Sequence, residues 1–203
     1  MDHSSAYSLL STDQQLWQGL RAGDEAALTA IFDRYHATLY NYGSKLSSDQ
    51  DLIKDAVQEI FIDVWRMRST LATDIVSIKF YLYRSLRRRL QRIQHKYSSG
   101  ESIEELDNDN LITFAEDVTQ IEQESHDLLS RRLQELLTQL PKRQVEALTL
   151  YYYDDFSIRE IAQIMDVNEK SVRNFIYRGL TLLRQNRNWL IGSLLIFWLL
   201  CVR

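Results

Sequence analysis

The sequence predicts an all-α protein of two small helical domains joined by an acidic linker, the second containing a helix-turn-helix, with an apolar C-terminal tail. Three observations carry this expectation. Apolar residues recur at spacings of three and four rather than two, which is helical periodicity. Only six glycines and one proline punctuate 203 residues, few for a chain rich in turns and strands. The acids also crowd one stretch. Residues 97–130 hold ten acids and no lysine or arginine, while the remainder has eighteen acids against twenty-four basic residues and is net +6, although the whole chain is −4. The acidity is local, as expected of a solvated linker between two basic domains.

The first domain is expected over residues 13–97. Leu28, Ile31, Phe32, Tyr35, Leu39, Tyr42 and Leu46 line one face of a helix beginning after Gly23-Asp24, with Gly43 only a mild interruption. Beyond polar residues 47–51, a second periodic segment carries Leu52, Ile53, Ala56, Val57, Ile60, Phe61, Val64 and Trp65, a wide apolar stripe. A less regular passage, 67–77, leads to a third helix from Ile78 to about Lys96, with Phe80, Leu82, Tyr83, Leu86, Leu90 and Ile93. This helix also carries Arg84, Arg87, Arg88, Arg89, Arg92 and Lys96 within thirteen residues and without an intervening acid, beside Tyr81, Tyr83 and Tyr97. Guanidinium groups grip phosphates while aromatic rings stack on unpaired bases, so the pattern suits a single-strand-binding surface. The competing reading is a solvated face whose arginines pair with acids elsewhere.

Residues 98–127 read as a solvated acidic linker given no firm structure, with Leu111, Ile112 and Phe114 as residues able to dock elsewhere. The second domain is expected over residues 128–187. Leu129, Leu133, Leu136, Leu137 and Leu140 share one face, and Pro141 suits the start of the next helix, about 142–152. After a turn at Asp154-Asp155, Ser157 with Glu160 forms a capping box, so a helix should start at Ile158. Ile161, Met165, Val167, Val172 and Phe175 supply a shared core, and Ala162 is small where two helices would approach most closely. Asp166 occupies the turn, where the backbone goes left-handed, and Asn168 caps the helix that follows. This is helix-turn-helix spacing. Lys170, Arg173, Asn174, Tyr177 and Arg178 are left off the core as a donor-rich face suited to phosphates and major-groove base edges. Two amphipathic helices joined by a polar turn are common in any helical protein. Agreement of cap, small residue, turn residue and basic outer face in one window favours DNA binding.

The tail, residues 188–203, contains an uncharged run over 189–202. As a helix that run would span roughly 21 Å, against a bilayer core of about 30 Å. A terminal helix docked on the protein, insertion at a membrane surface and a docking site for an inhibitory partner are the three readings. The N-terminus lacks a basic region followed by an apolar core, and Cys201 is the one cysteine, so a reducing cytoplasm is expected. His3, His36, His95 and His126 have no Cys or His partner at metal-ligand spacing, and no Gly-rich phosphate loop or nucleophile motif is present. No catalytic residue, metal site or cofactor is expected, and the chain does not read as an enzyme.

Three segments together resemble the extracytoplasmic-function (ECF) sigma factors, small two-domain promoter-recognition subunits of bacterial RNA polymerase. Asp51-Leu-Ile-Lys-Asp-Ala-Val-Gln-Glu-Ile-Phe-Ile-Asp-Val-Trp65 is similar to the family's polymerase-binding helix. Tyr81-Leu-Tyr-Arg-Ser-Leu-Arg87 resembles the start of the helix that melts and reads the promoter element nearest the start site. Leu140-Pro-Lys-Arg-Gln144 with the helix-turn-helix resembles the domain that reads the upstream, minus-thirty-five element. The resemblance implies that Asp55, Gln58 and Glu59 contact polymerase, while Phe61 and Trp65 hold that helix in its domain. It implies that residues 67–79 lie where a flipped-out base is captured, and that Tyr81, Arg84, Arg87, Arg88 and Arg92 act in melting and hold the opened strand. Lys170, Arg173, Asn174, Tyr177 and Arg178 would grip the upstream duplex. Arg88 stands where the family usually has asparagine, and Asp166 replaces the usual turn glycine. The implied partners are core RNA polymerase, promoter DNA and an anti-sigma protein, in this family often one embedded in the membrane. Residues 189–202 offer a further membrane contact. Two other classes stand beside this reading: a helix-turn-helix regulator that does not join polymerase, and a membrane-associated adaptor that uses the tail.

Overall fold

A computed structural model describes residues 12–75, 77–98, 137 and 139–185. Among these residues all regular structure is helical, in two compact units. The acidic stretch 99–130 and the apolar run 189–202 lie outside the described residues. Among those described, no helix is long and apolar enough to cross a membrane.

The first unit begins with a helix, α1 (Asp13–Ala22), that the apolar pattern alone did not announce. Its signals are local. Thr12 and Gln15 form a capping box, and the chain leaves the helix through Gly23 at φ 87°, a left-handed conformation in which glycine has no Cβ to clash. Asp24 then accepts the Ala26 amide at 2.9 Å and starts α2 (Glu25–Gly43). Helix α2 packs against α1, α3 (Gln50–Arg66) and α4 (Ile78–Ser98), and α3 also packs against α4. Ile31, Tyr35, Leu39 and Tyr42 of the expected face are buried, joined by Ala27 and Ala30, while Leu28 is half-buried. Phe32 departs furthest. It is 37% exposed and lies between the His36 ring and the edge of Phe61. Gly43 ends the helix rather than interrupting it, so Leu46 belongs to the turn that follows, its amide donating to the Gly43 carbonyl at 2.9 Å. A Cβ at Gly43 would stand 2.6 Å from Ile53 Cγ2. The missing side chain lets α2 and α3 come together.

Helix α3 starts at the Asp49 cap and buries Ile53, Ala56, Val57, Ile60, Phe61 and Val64, an unbroken three-and-four stripe. Helix α4 buries Ile78, Leu82, Tyr83, Leu86 and Leu90, with Tyr83 stacked on Tyr42 at 4.7 Å. At about 25 cal/mol per Å² of apolar surface removed from water, stripes of this kind are the main favourable term holding the four helices together.

In the second unit, Pro141 precedes α5 (Lys142–Tyr152), its carbonyl accepting from Gln144 and Val145 at 2.8 and 3.2 Å. Helix α5 packs on α7 (Glu169–Gln185). The crossing is close at Gly179, where a Cβ would lie 2.8 Å from Leu148 Cδ1. Between them, α6 (Ile158–Met165) opens with the expected capping box, Ser157 N donating to Glu160 Oε2 at 2.9 Å and Glu160 N to Ser157 Oγ at 3.3 Å. Asp166 is left-handed at φ 54°, ψ 50°, and Asn168 Oδ1 accepts the Ser171 amide at 2.8 Å to start α7. Ile161, Ala162, Met165 and Val172 are buried as expected, whereas Val167 and Phe175 are half-buried. Ile176 takes the core position instead of Phe175, because the α7 face in contact with α5 runs through Val172, Ile176 and Gly179.

Candidate nucleic-acid interface

Helix periodicity divides α3 into two faces. With its core stripe turned inward, Asp51, Lys54, Asp55, Gln58, Glu59 and Ile62 are exposed along the opposite side. Asp55, Gln58 and Glu59 therefore stand together on one accessible strip. Ile62, 46% exposed, extends that strip with an apolar side chain. Phe61 is 5% exposed and Trp65 half-buried beneath the Arg68 guanidinium, 4.3 Å from its ring centre. Both aromatics hold the helix in place, in line with the structural role expected of them.

The arginine row of α4 does not act as one surface. Arg88 and Arg92 are exposed, one turn apart, and Arg84 is half-buried. Arg87 is 6% exposed and belongs to the interior. Its position in the row, read from sequence as part of the strand-binding set, puts it one residue round the helix from Leu86 and on the side that packs against the domain. Arg89, to which sequence reasoning gave no role of its own, reaches across to α3, where its two terminal nitrogens contact Glu59 Oε2 and Asp63 Oδ2. Burial lowers the Arg89 pKa, and the neighbouring Arg92 charge lowers it further. Glu59 thus carries two relationships, exposure along the α3 strip and an ion pair with Arg89.

Tyr81 is half-buried with its ring edge against Trp17, centres 5.3 Å apart. Burial raises its phenol pKa, the Ser85 hydrogen bond opposes this, and Asp63 adds a smaller rise. Helix α1 also fastens the segment between α3 and α4. Trp17 Nε1 donates to the Ala72 carbonyl at 2.8 Å, and Arg21 Nε to the Leu71 carbonyl at 3.0 Å. Two side chains of α1 thus fix the passage in which base capture was expected. The Thr12–Gln15 capping box and Gly23 were the sequence signals that could have located this helix.

In the second unit, Lys170, Arg173, Asn174, Tyr177 and Arg178 are all exposed on α7, on the side away from Val172 and Ile176. Tyr177 is 69% exposed. Arg173 pairs with Glu169 one turn earlier at 2.8 Å, with both side chains open to water. Such a pair is worth about 0.3–0.5 kcal/mol, so a phosphate or a base edge can displace it readily. The face combines three cationic groups with an amide and a phenol on one rigid helix, which is suited to a DNA groove.

Two family models match successive parts of the chain. The family model for sigma-70 region 2 matches residues 31–97, and that for sigma-70, region 4 matches residues 130–183. The chain is 27% identical over 184 residues to the ECF RNA polymerase sigma-E factor of Escherichia coli (strain K12), covering 83% of this chain and 90% of that protein. It is 28% identical over 177 residues to the sigma-E factor of Haemophilus influenzae, covering 83% and 91%. Among solved structures it is similar in fold to CnrH in complex with the cytosolic domain of CnrY, with a TM-score of 0.58 at 16% identity over 87% of this chain and 97% of that one. It is also similar in fold to the sigma factor RpoE in complex with the anti-sigma factor NepR from Bartonella quintana, with a TM-score of 0.54 at 18% identity over 76% and 92%.

Proposed function

Because the chain belongs to the sigma-70 family, as a sigma factor of the extracytoplasmic-function group, we propose that it joins core RNA polymerase through α3, reads a bipartite promoter with α4 and α7, and helps open the duplex. It is a transcription initiation factor, and its task is recognition and strand separation rather than covalent chemistry. The single observation that best supports the division of labour is the exposure of Asp55, Gln58 and Glu59 on one strip of α3 while the opposite face of that helix is core.

In this reading residues 13–97 form the polymerase-binding and melting domain, residues 128–187 the upstream-element domain, and residues 98–127 the acidic connection. Arg88 and Arg92, with Arg84 beside them, hold the opened strand. Arg87 supports the helix from within. Tyr81 takes part through its contact with Trp17 next to the segment 67–77. Lys170, Arg173, Asn174, Tyr177 and Arg178 grip the upstream duplex, and a good bidentate base contact there contributes about 1–3 kcal/mol of discrimination. Action with polymerase places the protein in the cytoplasm. An anti-sigma protein is the expected regulatory partner, a proposal supported by the two solved relatives in fold, CnrH in complex with CnrY and RpoE with NepR. Contact of residues 189–202 with a membrane surface is a separate proposal, tested by liposome flotation with and without residues 188–203.

The test of the α3 assignment is direct binding of labelled protein to purified bacterial core polymerase. Gln58→Ala with Glu59→Ala should weaken binding at least tenfold while leaving the helical content unchanged. Unchanged affinity would remove α3 from the polymerase contact.

A further inference from the structure

Within the α4 row, Arg89 is tied to α3 through two carboxylates at once. Glu59 and Asp63 lie one helical turn apart, so a single guanidinium fork spans both. Its surroundings are otherwise cationic. Arg92 follows at i+3, Arg88 adjoins it, and the Arg92 charge is felt strongly enough to depress the Arg89 pKa alongside burial. A guanidinium in such company needs anions nearby, and the two acids of α3 supply them.

The two acids are not equally accessible. Glu59 is 61% exposed and Asp63 39%, while the Arg89 side chain is only 24% exposed. A partner approaching the α3 strip therefore meets Glu59 first. Losing that carboxylate would leave Arg89 with one acid and a spare pair of donors, at the edge of the exposed Arg88 and Arg92 pair. A phosphodiester also suits this fork, because its two non-bridging oxygens accept from the guanidinium together.

We propose that Arg89 is a DNA-phosphate ligand held in reserve: Glu59 and Asp63 occupy it in the free protein, and engagement of Glu59 by core polymerase releases it toward the opened strand. This rests on the assignment of α3 to polymerase and of the exposed α4 row to DNA. The consequence is a coupling between the two faces of one domain. The free protein presents a weaker DNA surface than the polymerase-bound one, and the same carboxylate that recognises polymerase controls the difference.

The experiment uses the full chain without polymerase and a fluorescein-labelled single-stranded oligodeoxynucleotide of mixed sequence, titrated by anisotropy over a range of salt concentrations. Five proteins are compared: the native chain, Glu59→Gln with Asp63→Asn, each of these with Arg89→Ala, and the acid-neutralised chain with Arg89→Lys. In the acid-neutralised protein, binding should tighten and the logarithmic salt slope should steepen by about 0.7, the contribution of one phosphate contact on a single strand. Arg89→Ala should remove that added slope in the neutralised background and have a smaller effect in the native one. Arg89→Lys, which keeps the charge, should retain the added slope, and circular dichroism verifies that each variant is folded. An equal effect of Arg89→Ala in both backgrounds, or a gain on neutralisation that survives Arg89→Ala, would overturn the proposal by showing only general charge repulsion. Because no polymerase is present, that outcome would leave the sigma-factor role to be judged separately by transcription.

Discussion

Asp13 Oδ2 accepts the backbone amide of Ile78 at 3.1 Å, so the first turn of α1 caps the start of α4 from 65 positions away. The same carboxylate accepts from Tyr35 Oη at 2.8 Å and from Arg34 Nη1 at 3.2 Å through Oδ1. One acid thereby joins α1, α2 and α4 at the end of the helix that carries the arginine row.

Replacing Asp13 by alanine removes a helix cap and two further hydrogen bonds. The expected cost is about 2 kcal/mol, since a cap contributes roughly 0.5–2 kcal/mol and a bond to a charged group somewhat more than a neutral one. Urea denaturation followed by circular dichroism measures it. Hydrogen exchange should also show faster opening of the first turn of α4, and unchanged protection there would contradict the capping role.

Tyr35 makes stability depend on alkaline pH. Burial, and then the hydrogen bond and charge of Asp13, raise its phenol pKa above the ordinary 10.0. The neutral phenol is the form the fold favours, so this contribution is fully present below pH 10.0 and is lost as the pH rises above it. Tyr35→Phe should be less stable at neutral pH by about 1 kcal/mol yet lose stability less steeply above pH 10. Parallel stability profiles for the two proteins would contradict this.

Two glycines at helix crossings should respond differently to the same change. At Gly43 the added methyl would meet Ile53 Cγ2, a branch fixed directly on Cβ, so Gly43→Ala should cost about 1–3 kcal/mol. At Gly179 the obstacle is Leu148 Cδ1, the end of a side chain with two rotatable bonds. A gain of about 1 kcal/mol in helix propensity partly offsets that strain, so Gly179→Ala should lie near neutral. Thermal unfolding of the two variants checks the order, and a costlier Gly179 substitution would refute it.

Much of this was legible in the sequence where the signal was local. Ser157, Glu160, Asp166 and Asn168 specify their own hydrogen bonds within a few residues, and the helix-turn-helix formed as those residues require. The stripe from Ile53 to Val64 likewise settled which face of α3 turns inward. Less legible was the fate of each arginine in α4. Arg87 is interior and Arg89 is ion-paired, outcomes set by side chains 26 and 30 positions away in the case of Arg89. Periodicity gives a residue's angle on its own helix and says nothing about the neighbour it meets. Helix α1 was overlooked for a different reason. Its ends are marked clearly by Thr12, Gln15 and Gly23, but its apolar residues Leu16, Trp17 and Leu20 make too short a pattern to stand out.

On α7, Arg173→Ala should weaken promoter-duplex binding by about 1–3 kcal/mol, the value of one specific contact, and leave affinity for core polymerase unchanged. Among the described residues it pairs with the exposed Glu169, so little folding stability is at stake. Loss of polymerase binding in this variant, with the fold preserved, would contradict the separation of roles between the two units.

Run-off transcription with purified bacterial core polymerase and a library of promoter fragments tests the central claim most directly. The native protein should direct promoter-specific transcripts that core polymerase alone does not make, and the Gln58→Ala, Glu59→Ala variant should make markedly fewer. A protein that shifts duplex DNA but neither binds core polymerase nor directs initiation would contradict the account and identify a helix-turn-helix regulator instead.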